Sequence, residues 1–272
     1  MRIGRSTKKP GSSAADSSGN GNTASLINFP TDDSQWVPGR IGGALYFNGD
    51  TSAHDDYVLT DAPINFDNQD AFSFSFWIKR APGTTGTYPR VITPLNQTHW
   101  LLWGQGKGVG FFPPQLPAEP VIGVWEHYVV VYDRAGGTYS VFRDGEQVLT
   151  DVAAVRNEPG AANWIIGHNE SPAQHGDHWF GELDDIRIYN RLLSADDVRE
   201  LFQSAPAEPP AAPVFVQQPQ GGDKFVGENF TFTAYAVANP PVSRYQWKKA
   251  WVSRTAMAKS TDGWTPLQRE RS

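Results

Sequence analysis

The chain contains no cysteine, which excludes a disulfide framework and cysteine-ligated zinc. No apolar run reaches the length needed to span a membrane. Basic residues form no stripe and the net charge is −6, so nucleic acid is not an expected partner. The basic start, residues 1–9, lacks the apolar core of a signal peptide. We therefore expect no membrane insertion, and we expect that an export signal was lost by truncation.

Aromatic and turn-forming residues are abundant. The 272 residues include 10 Trp, 15 Phe, 26 Gly and 21 Pro, and segments with a helical period are rare. This composition predicts an all-β chain with many turns. Residues 72–79 alternate in hydrophobicity, and Asp144-Gly145 is the strongest hairpin signal. A chain with many antiparallel strands needs two stacked sheets to bury the apolar faces of those strands.

The most informative segment runs from Trp179 to Phe202 and switches from a strand period to a helical one. Ser194 precedes the helical part and Asp197 follows three residues later, which is a capping-box arrangement. The pattern predicts a long strand and then a short helix near Ala195–Gln203. Strict alternation along the strand predicts two faces, one with Leu183, Asp185, Arg187 and Tyr189, the other with Asp184, Ile186 and Ile188.

This segment resembles the end of bacterial laminin G-like (LamG-like) jelly-roll domains of the concanavalin A-like superfamily, which reads F-x-G-x-I-D-D/E-V-R-I-Y-N-R-A-L-S. Residues 16–22 resemble the early D-S-S-G-N-G-N loop of that family, and residues 39–58 resemble its G-K-x-G-x-A-L-x-F-D-G…D-Y-V segment. The resemblance covers residues 12–203. It implies an all-β fold, a two-sheet antiparallel jelly-roll sandwich with one short C-terminal helix.

The composition changes after residue 203. Residues 204–213 are rich in proline, which predicts a semi-rigid linker. Residues 214–249 resemble the opening of a bacterial immunoglobulin-like (Ig-like) domain, with Trp247 matching the core tryptophan of strand C. Residues 250–272 alternate in no consistent way, which predicts a disordered or out-of-frame tail. The part after the linker is therefore expected to be an incomplete Ig-like β segment.

The first strand of the family, of the type W-P-F-D-E-x-x-G, is absent from the start of the chain. One possible set of codons for Gly4–Pro10 and the start of Gly11 can be read in another frame. With a T in front and read one base earlier, it encodes Trp-Pro-Phe-Asp-Glu-Glu-Thr-Gly. We therefore expect a gene fragment or a frameshifted start. The sheet that lost this strand would then have a gap or an unpaired edge.

A calcium site is the first candidate functional site. Asp16, Asn20 and Asn22 lie in a glycine-punctuated loop, and calcium prefers carboxylate, amide and backbone oxygens. The resemblance to LamG-like domains implies that Asp184 on the closing strand joins them around a structural calcium ion. The alternative is an Asx-rich turn that hydrogen-bonds its own backbone.

A catalytic set of carboxylates is the second candidate functional site. Concanavalin A-like glycosidases of the laminarinase type carry E-x-D-x-E on one strand face, and two glutamates serve as nucleophile and acid/base. Here Glu182 and Asp184 fill the first two positions, but Ile186 fills the third. A retaining mechanism would lack its proton donor, so we expect no catalysis from this strand.

Histidines and tryptophans supply the remaining candidates. His168, His175 and His178 could suit zinc, but the flanking Ser, Pro and Gly favour solvated loop histidines. Indoles can stack on sugar rings while polar neighbours bind the hydroxyls, whereas most tryptophans of a sandwich fill its core. The candidate ligand-binding residues are Trp100, Trp103, His168 and Trp179.

The sequence therefore predicts a non-catalytic binding or adhesion module of a larger exported bacterial protein, located outside the cell or on its surface. The expected partner is a glycan or an extracellular protein, and the module is expected to be monomeric. The alternatives are a glycoside hydrolase of the same superfamily and a structural spacer without a ligand. An accessory module of an enzyme is compatible with the first interpretation.

Overall fold

The computed structural model describes residues 2–4, 12–49, 56–66, 69–83, 88–95, 101–103, 108–111, 116, 118–153, 161–169, 177–208, 211–220, 229, 231–239, 244, 246, 257–260 and 263–266. Only the backbone is described at 2–4, 101–103, 257–260 and 263–266. These residues contain one helix, α1 (Ala195–Gln203). Their strands are β1 (Arg2–Gly4), β2 (Ser13–Asp16), β3 (Ala24–Ile27), β4 (Trp36–Pro38), β5 (Gly43–Asn48), β6 (Tyr57–Thr60), β7 (Ile64–Asn65), β8 (Ala71–Arg80), β9 (Arg90–Pro94), β10 (Leu101–Trp103), β11 (Val109–Phe111), β12 (Trp125–Asp133), β13 (Thr138–Arg143), β14 (Glu146–Ala153), β15 (Ala161–Ala162), β16 (Trp164–Ile166), β17 (Phe180–Tyr189), β18 (Ala211–Gln217), β19 (Tyr235–Asn239), β20 (Met257–Ser260) and β21 (Gly263–Pro266).

Two large antiparallel sheets form the molecule. The first, here called the helix-side sheet, has the order β4-β5-β17-β8-β12-β13-β14, with β1 beside the second half of β17. The second, the opposite sheet, has the order β2-β3-β6-β16-β9-β10-β11. Strand β2 also pairs with β1 and so joins the two sheets. This arrangement confirms the predicted all-β jelly-roll sandwich with one short helix.

The main core lies between the two sheets. From β8 it takes Phe72, Phe74, Phe76 and Ile78, all at most 1% exposed, as the alternation of residues 72–79 predicts. From β16 it takes Trp164 and Ile166. Each fully buried aromatic or aliphatic side chain contributes about 1.5–3 kcal/mol of transfer free energy, so this layer is the main source of stability.

Helix α1 covers the outer face of the helix-side sheet. Its capping box is present as predicted, because Ser194 accepts a hydrogen bond from the Asp197 backbone and Asp197 accepts one from Ser194. Val198 is fully buried against Val129 and Val131 of β12. The helix therefore explains why both faces of the central strands are apolar.

A β-bulge in β17 corrects the predicted alternation. Asp184 pairs with Trp77 and Arg187 with Ser75, so three steps on β17 oppose two on β8. Asp185 takes the extra step with φ of 45°, in the left-handed region. Strict alternation is therefore wrong beyond Asp184. The bulge turns Ile186 and Ile188 into the core with Leu183, where alternation alone would have divided them between two faces.

Several segments near the two ends of the chain differ in structure from what the sequence predicts. Residues 2–4 form a strand between β17 and β2, in the place where a gap was expected. After the helix, β18 and β19 pair as an antiparallel hairpin, while the position predicted for a strand-C tryptophan lies outside the described residues. Strands β20 and β21 pair within the segment predicted to be disordered. The Ig-like assignment and the domain boundaries stay predictions.

Candidate functional site

The predicted calcium loop is held by its own hydrogen bonds. One Asp16 oxygen accepts the Ser18 backbone N–H at 2.9 Å, and the other accepts the Ser18 hydroxyl at 2.8 Å and the Asn22 N–H at 2.9 Å. Asn20 is exposed, and its amide donates to the Ser18 hydroxyl at 3.0 Å. This is the geometry of an Asx turn, the alternative that the sequence left open.

Asp184 anchors a different loop. Its carboxylate is buried and accepts the backbone N–H groups of Ile41 and Asp185, both at 2.7 Å. Burial raises its pKa to about 6, against the lowering effect of these hydrogen bonds. Asp184 therefore fixes the turn between β4 and β5.

The structure does not bring the four predicted calcium ligands into one described cluster. Asp16 pairs with Ile3 and Ile3 with Ile186, so two strand spacings separate Asp16 from the closing strand. Within the part of the chain that the structure describes, no three His, Cys, Asp or Glu residues are gathered as a metal site. Calcium binding stays a prediction.

The carboxylate strand presents two acids and then a base on its outer face. Glu182 forms an ion pair with Lys79, with Nζ and Oε1 3.1 Å apart. Asp184 is occupied by backbone N–H groups, as described above. Because of the bulge, the next outward residue is Arg187, while Ile186 lies in the core. The position that a second catalytic carboxyl would occupy on this strand is therefore taken by a guanidinium group.

The histidines are buried, which corrects their interpretation as solvated loop residues. His168 is 0% exposed and His178 is 2% exposed, and their rings meet edge to face with centroids 3.9 Å apart. The ring of Tyr57 contacts His168 at 5.1 Å. His168 follows β16 directly, and its Nδ1 atom shares a hydrogen bond of 3.0 Å with the Asn169 carbonyl oxygen, so ring packing and this bond hold it in the interior. His175 lies outside the described residues.

The predicted sugar-binding tryptophans are not seen as a surface platform. Trp179 is 1% exposed and belongs to the main core, so its indole has no open face for a sugar ring. Trp103 lies on β10 with only its backbone described, and Trp100 lies outside the described residues. Their role as ligand contacts stays a prediction.

A cleft that the sequence did not predict lies between the jelly roll and the β18–β19 hairpin. Its volume is about 510 Å³, within the usual range for small-ligand sites. Its lining includes Arg40, Lys79, Gly123 and Trp125 from the jelly roll and Glu208, Val214, Val237 and Asn239 from the C-terminal part.

Trp125 is the one aromatic side chain among the described residues that line the cleft. It is half-buried at the start of β12, where it pairs with Lys79 of β8. The Lys79 ammonium group lies 5.7 Å from the indole centroid and also binds Glu182. A half-buried indole in a cleft can stack on an apolar sugar-ring face, and the charged groups beside it can bind the hydroxyls of the ring.

Arg40 connects the two sides of the cleft. Its guanidinium lies 4.8 Å above the Trp77 ring, donates a hydrogen bond to the carbonyl of Pro206, and lies 3.9 Å from the Glu208 carboxylate. The Asn239 amide donates to the Glu208 carbonyl at 2.6 Å. These contacts hold residues 206–208 against the jelly roll and join the end of β19 to them.

Sequence reasoning missed this cleft for two reasons. Its residues come from positions 39–42, 79, 123–125 and 206–239, which only the fold brings together. Both faces of β12 also carry buried side chains, with His127 and Val129 on one face and Tyr128 and Val130 on the other. Alternation therefore predicted a strand, but it did not predict which tryptophan side chain remains partly exposed.

Comparison with known proteins agrees with this fold. Residues 48–199 match a laminin G family model of the concanavalin A-like lectin/glucanases superfamily. A protein of Rattus norvegicus, "Sushi, von Willebrand factor type A, EGF and pentraxin domain-containing protein 1", is 23% identical over 172 residues, as is its counterpart in Mus musculus. These matches cover 56% of this chain but only 4% of each relative, so the chain corresponds to a small part of them.

Solved structures show the same fold at low identity. Domain 4 of AbnA, an extracellular arabinanase of Geobacillus stearothermophilus solved with arabinotriose, has a TM-score of 0.52 and 20% identity, over 70% of this chain and 92% of that one. The binding domain of Paraclostridial Mosquitocidal Protein 1 has a TM-score of 0.54 and 13% identity, over 98% and 66% of the two chains. Since the family model spans more than half of its 272 residues, the chain belongs to the laminin G-like family of the concanavalin A-like lectin/glucanases superfamily.

Proposed function

We propose that this protein is a non-catalytic carbohydrate-binding module that holds a glycan in the cleft beside Trp125. The observation that carries the proposal is a half-buried indole on the wall of a cleft of about 510 Å³, next to the Lys79–Glu182 ion pair. Sugar rings offer apolar faces to indoles and hydroxyls to charged side chains, so the two features suit one ligand.

The relatives support a binding function by analogy. The arabinanase domain was solved in complex with arabinotriose, and another similar fold is the binding domain of Paraclostridial Mosquitocidal Protein 1. One fold hosts many functions, so the analogy adds to the argument from the cleft but does not replace it. The same analogy supports a position outside the cell. No helix among the described residues is long and apolar enough to cross a membrane.

The carboxylates of β17 support the absence of catalysis. Glycosidic cleavage uses two placed carboxyl groups, one of which must donate a proton. Glu182 is engaged in an ion pair with Lys79, and Asp184 is buried under the turn between β4 and β5. Arg187 occupies the next outward position.

Calorimetric titration of the full chain with arabinotriose and with hexamers of arabinan, cellulose and laminarin tests the proposal. Trp125→Ala should weaken binding about tenfold, or about 1.4 kcal/mol, because a buried aromatic contact is lost. Tyr189→Ala is the matched control, since Tyr189 is also half-buried on the outer face and lies 6.0 Å from the Arg191 guanidinium. It should leave affinity unchanged.

Two outcomes would contradict the proposal. If no probe binds the wild type, a structural spacer is the better account. If a reducing-sugar assay detects turnover that disappears in Glu182→Gln, the protein is a hydrolase.

A further inference from the structure

We infer that the cleft binds an uncharged oligosaccharide and that the β18–β19 hairpin supplies the second wall of this site. The inference rests on the proposed function and adds the chemical class of the ligand and the contribution of the hairpin. It is carried by the charges that line the cleft and by the way the hairpin sits on the jelly roll.

Both cations among the described lining residues of the cleft face carboxylates. Lys79 lies 3.1 Å from Glu182, and Arg40 lies 3.9 Å from Glu208 and donates to the Pro206 carbonyl. Recognition of carboxylated or sulfated sugars normally uses an Arg or Lys whose charge is not already compensated. The Glu208 side chain is 41% exposed at the rim and would repel such sugars. The charge balance therefore favours a neutral glycan.

The two walls of the cleft suit the two faces of a sugar ring. The jelly-roll wall presents the indole of Trp125, and the hairpin wall presents the small apolar side chains of Ala212, Val214 and Val237. Val214 is 61% exposed, so a ligand would remove its side chain from water. A ring between the walls would be covered on both faces while its hydroxyls point to the charged rim.

Packing on the turn before β12 fixes the position of the hairpin. A Cβ atom on Gly123 would lie 2.6 Å from the Val237 Cγ1 atom and 3.3 Å from Val216, so the hairpin rests directly on the turn before β12. Gly123 also has φ of 73°, which side chains rarely adopt. A larger or charged side chain at Val237 should therefore displace the hairpin from the jelly roll.

The test is titration of the full-length Val237→Glu variant with the same neutral hexamers, together with a polygalacturonate hexamer and a heparin-derived hexasaccharide as anionic probes. Val237→Glu should weaken neutral binding about tenfold, because a carboxylate cannot stay packed against the Gly123 turn. Phe215→Glu is the control. Phe215 lies on the same hairpin, is 50% exposed and does not line the cleft, so its replacement should have no effect. A thermal melt shows that the jelly roll of each variant stays folded.

The outcomes distinguish a failure of this inference from a failure of the proposed function. Neutral binding that is weakened by both Trp125→Ala and Val237→Glu supports both. Binding that is weakened only by Trp125→Ala overturns the role of the hairpin and leaves the proposed function in place. Anionic probes that bind more tightly than neutral ones overturn the ligand class. Binding of neither kind overturns the proposed function and the inference with it.

Discussion

At the scale of single residues, burial decides what the polar side chains can do. His127 is 2% exposed beneath Phe202 and shares a hydrogen bond of 2.9 Å with the Ser75 hydroxyl. Asp184 and Asp16 are engaged by backbone N–H groups of neighbouring loops. From the sequence alone, these three residues could have had a functional or a structural role. Their contacts favour a structural role.

His127 should make the protein sensitive to acid. Burial, with a contribution from Arg187, lowers its pKa to about 3, while in the unfolded chain it stays near its ordinary value of 6.5. Its contribution to stability is complete above pH 6.5 and declines as the pH falls toward 3, because only the unfolded state then takes up the proton.

Between pH 7 and pH 5 the wild type should therefore lose about 2 kcal/mol of unfolding free energy relative to His127→Gln. Gln stays neutral and can keep the bond to Ser75. The comparison cancels the other titrating groups, which the two proteins share. Denaturant melts at both pH values measure the difference, and an equal change in the two proteins would contradict the neutral, buried state of His127.

Calcium binding by Asp16, Asn20, Asn22 and Asp184 is tested separately. A ligand that binds only the folded state stabilises it by mass action, so millimolar calcium should raise the melting temperature, and Asp16→Ala should abolish the rise. Asp61→Ala is the control, because Asp61 is a nearby exposed acid that accepts the Thr23 and Ser25 hydroxyls. A melt that does not respond to calcium would exclude the site.

At the scale of elements, the sequence predicted those whose signal is local. The capping box and the helical period locate α1, and alternation locates β8 and β12. The bulge at Asp185 could not be predicted, because it depends on the register between β17 and β8. The burial of His168 and His178 depends on how a loop packs, which no local pattern contains.

The capping box should be the main local determinant of α1. Ser194→Ala removes the hydroxyl that accepts the Asp197 backbone N–H and should cost about 1 kcal/mol. The matched change Ser204→Ala, at the other end of the helix, removes a hydroxyl that donates to the Leu201 carbonyl and should cost less. Chemical denaturation compares the two variants, and equal losses would argue against the capping box as the stronger contribution.

At the scale of the whole molecule, the fold was predictable and the cleft was not. Repeated alternation indicates antiparallel strands in two stacked sheets, and the resemblance of the closing segment to LamG-like domains implies the jelly roll. The cleft requires positions up to 200 residues apart, from residue 39 to residue 239, to meet in space. The sequence directed attention to Trp100 and Trp103, whereas the described surface offers Trp125.

The most direct measurement follows the tryptophan indole N–H signals in a ¹⁵N correlation spectrum while a neutral hexasaccharide is added. The chain has 10 tryptophans, and the Trp125 signal can be assigned by its loss in Trp125→Phe. A ligand stacked in the cleft should shift the Trp125 signal most. Shifts confined to Trp100 and Trp103, with Trp125 unchanged, would contradict the cleft as the glycan-binding site.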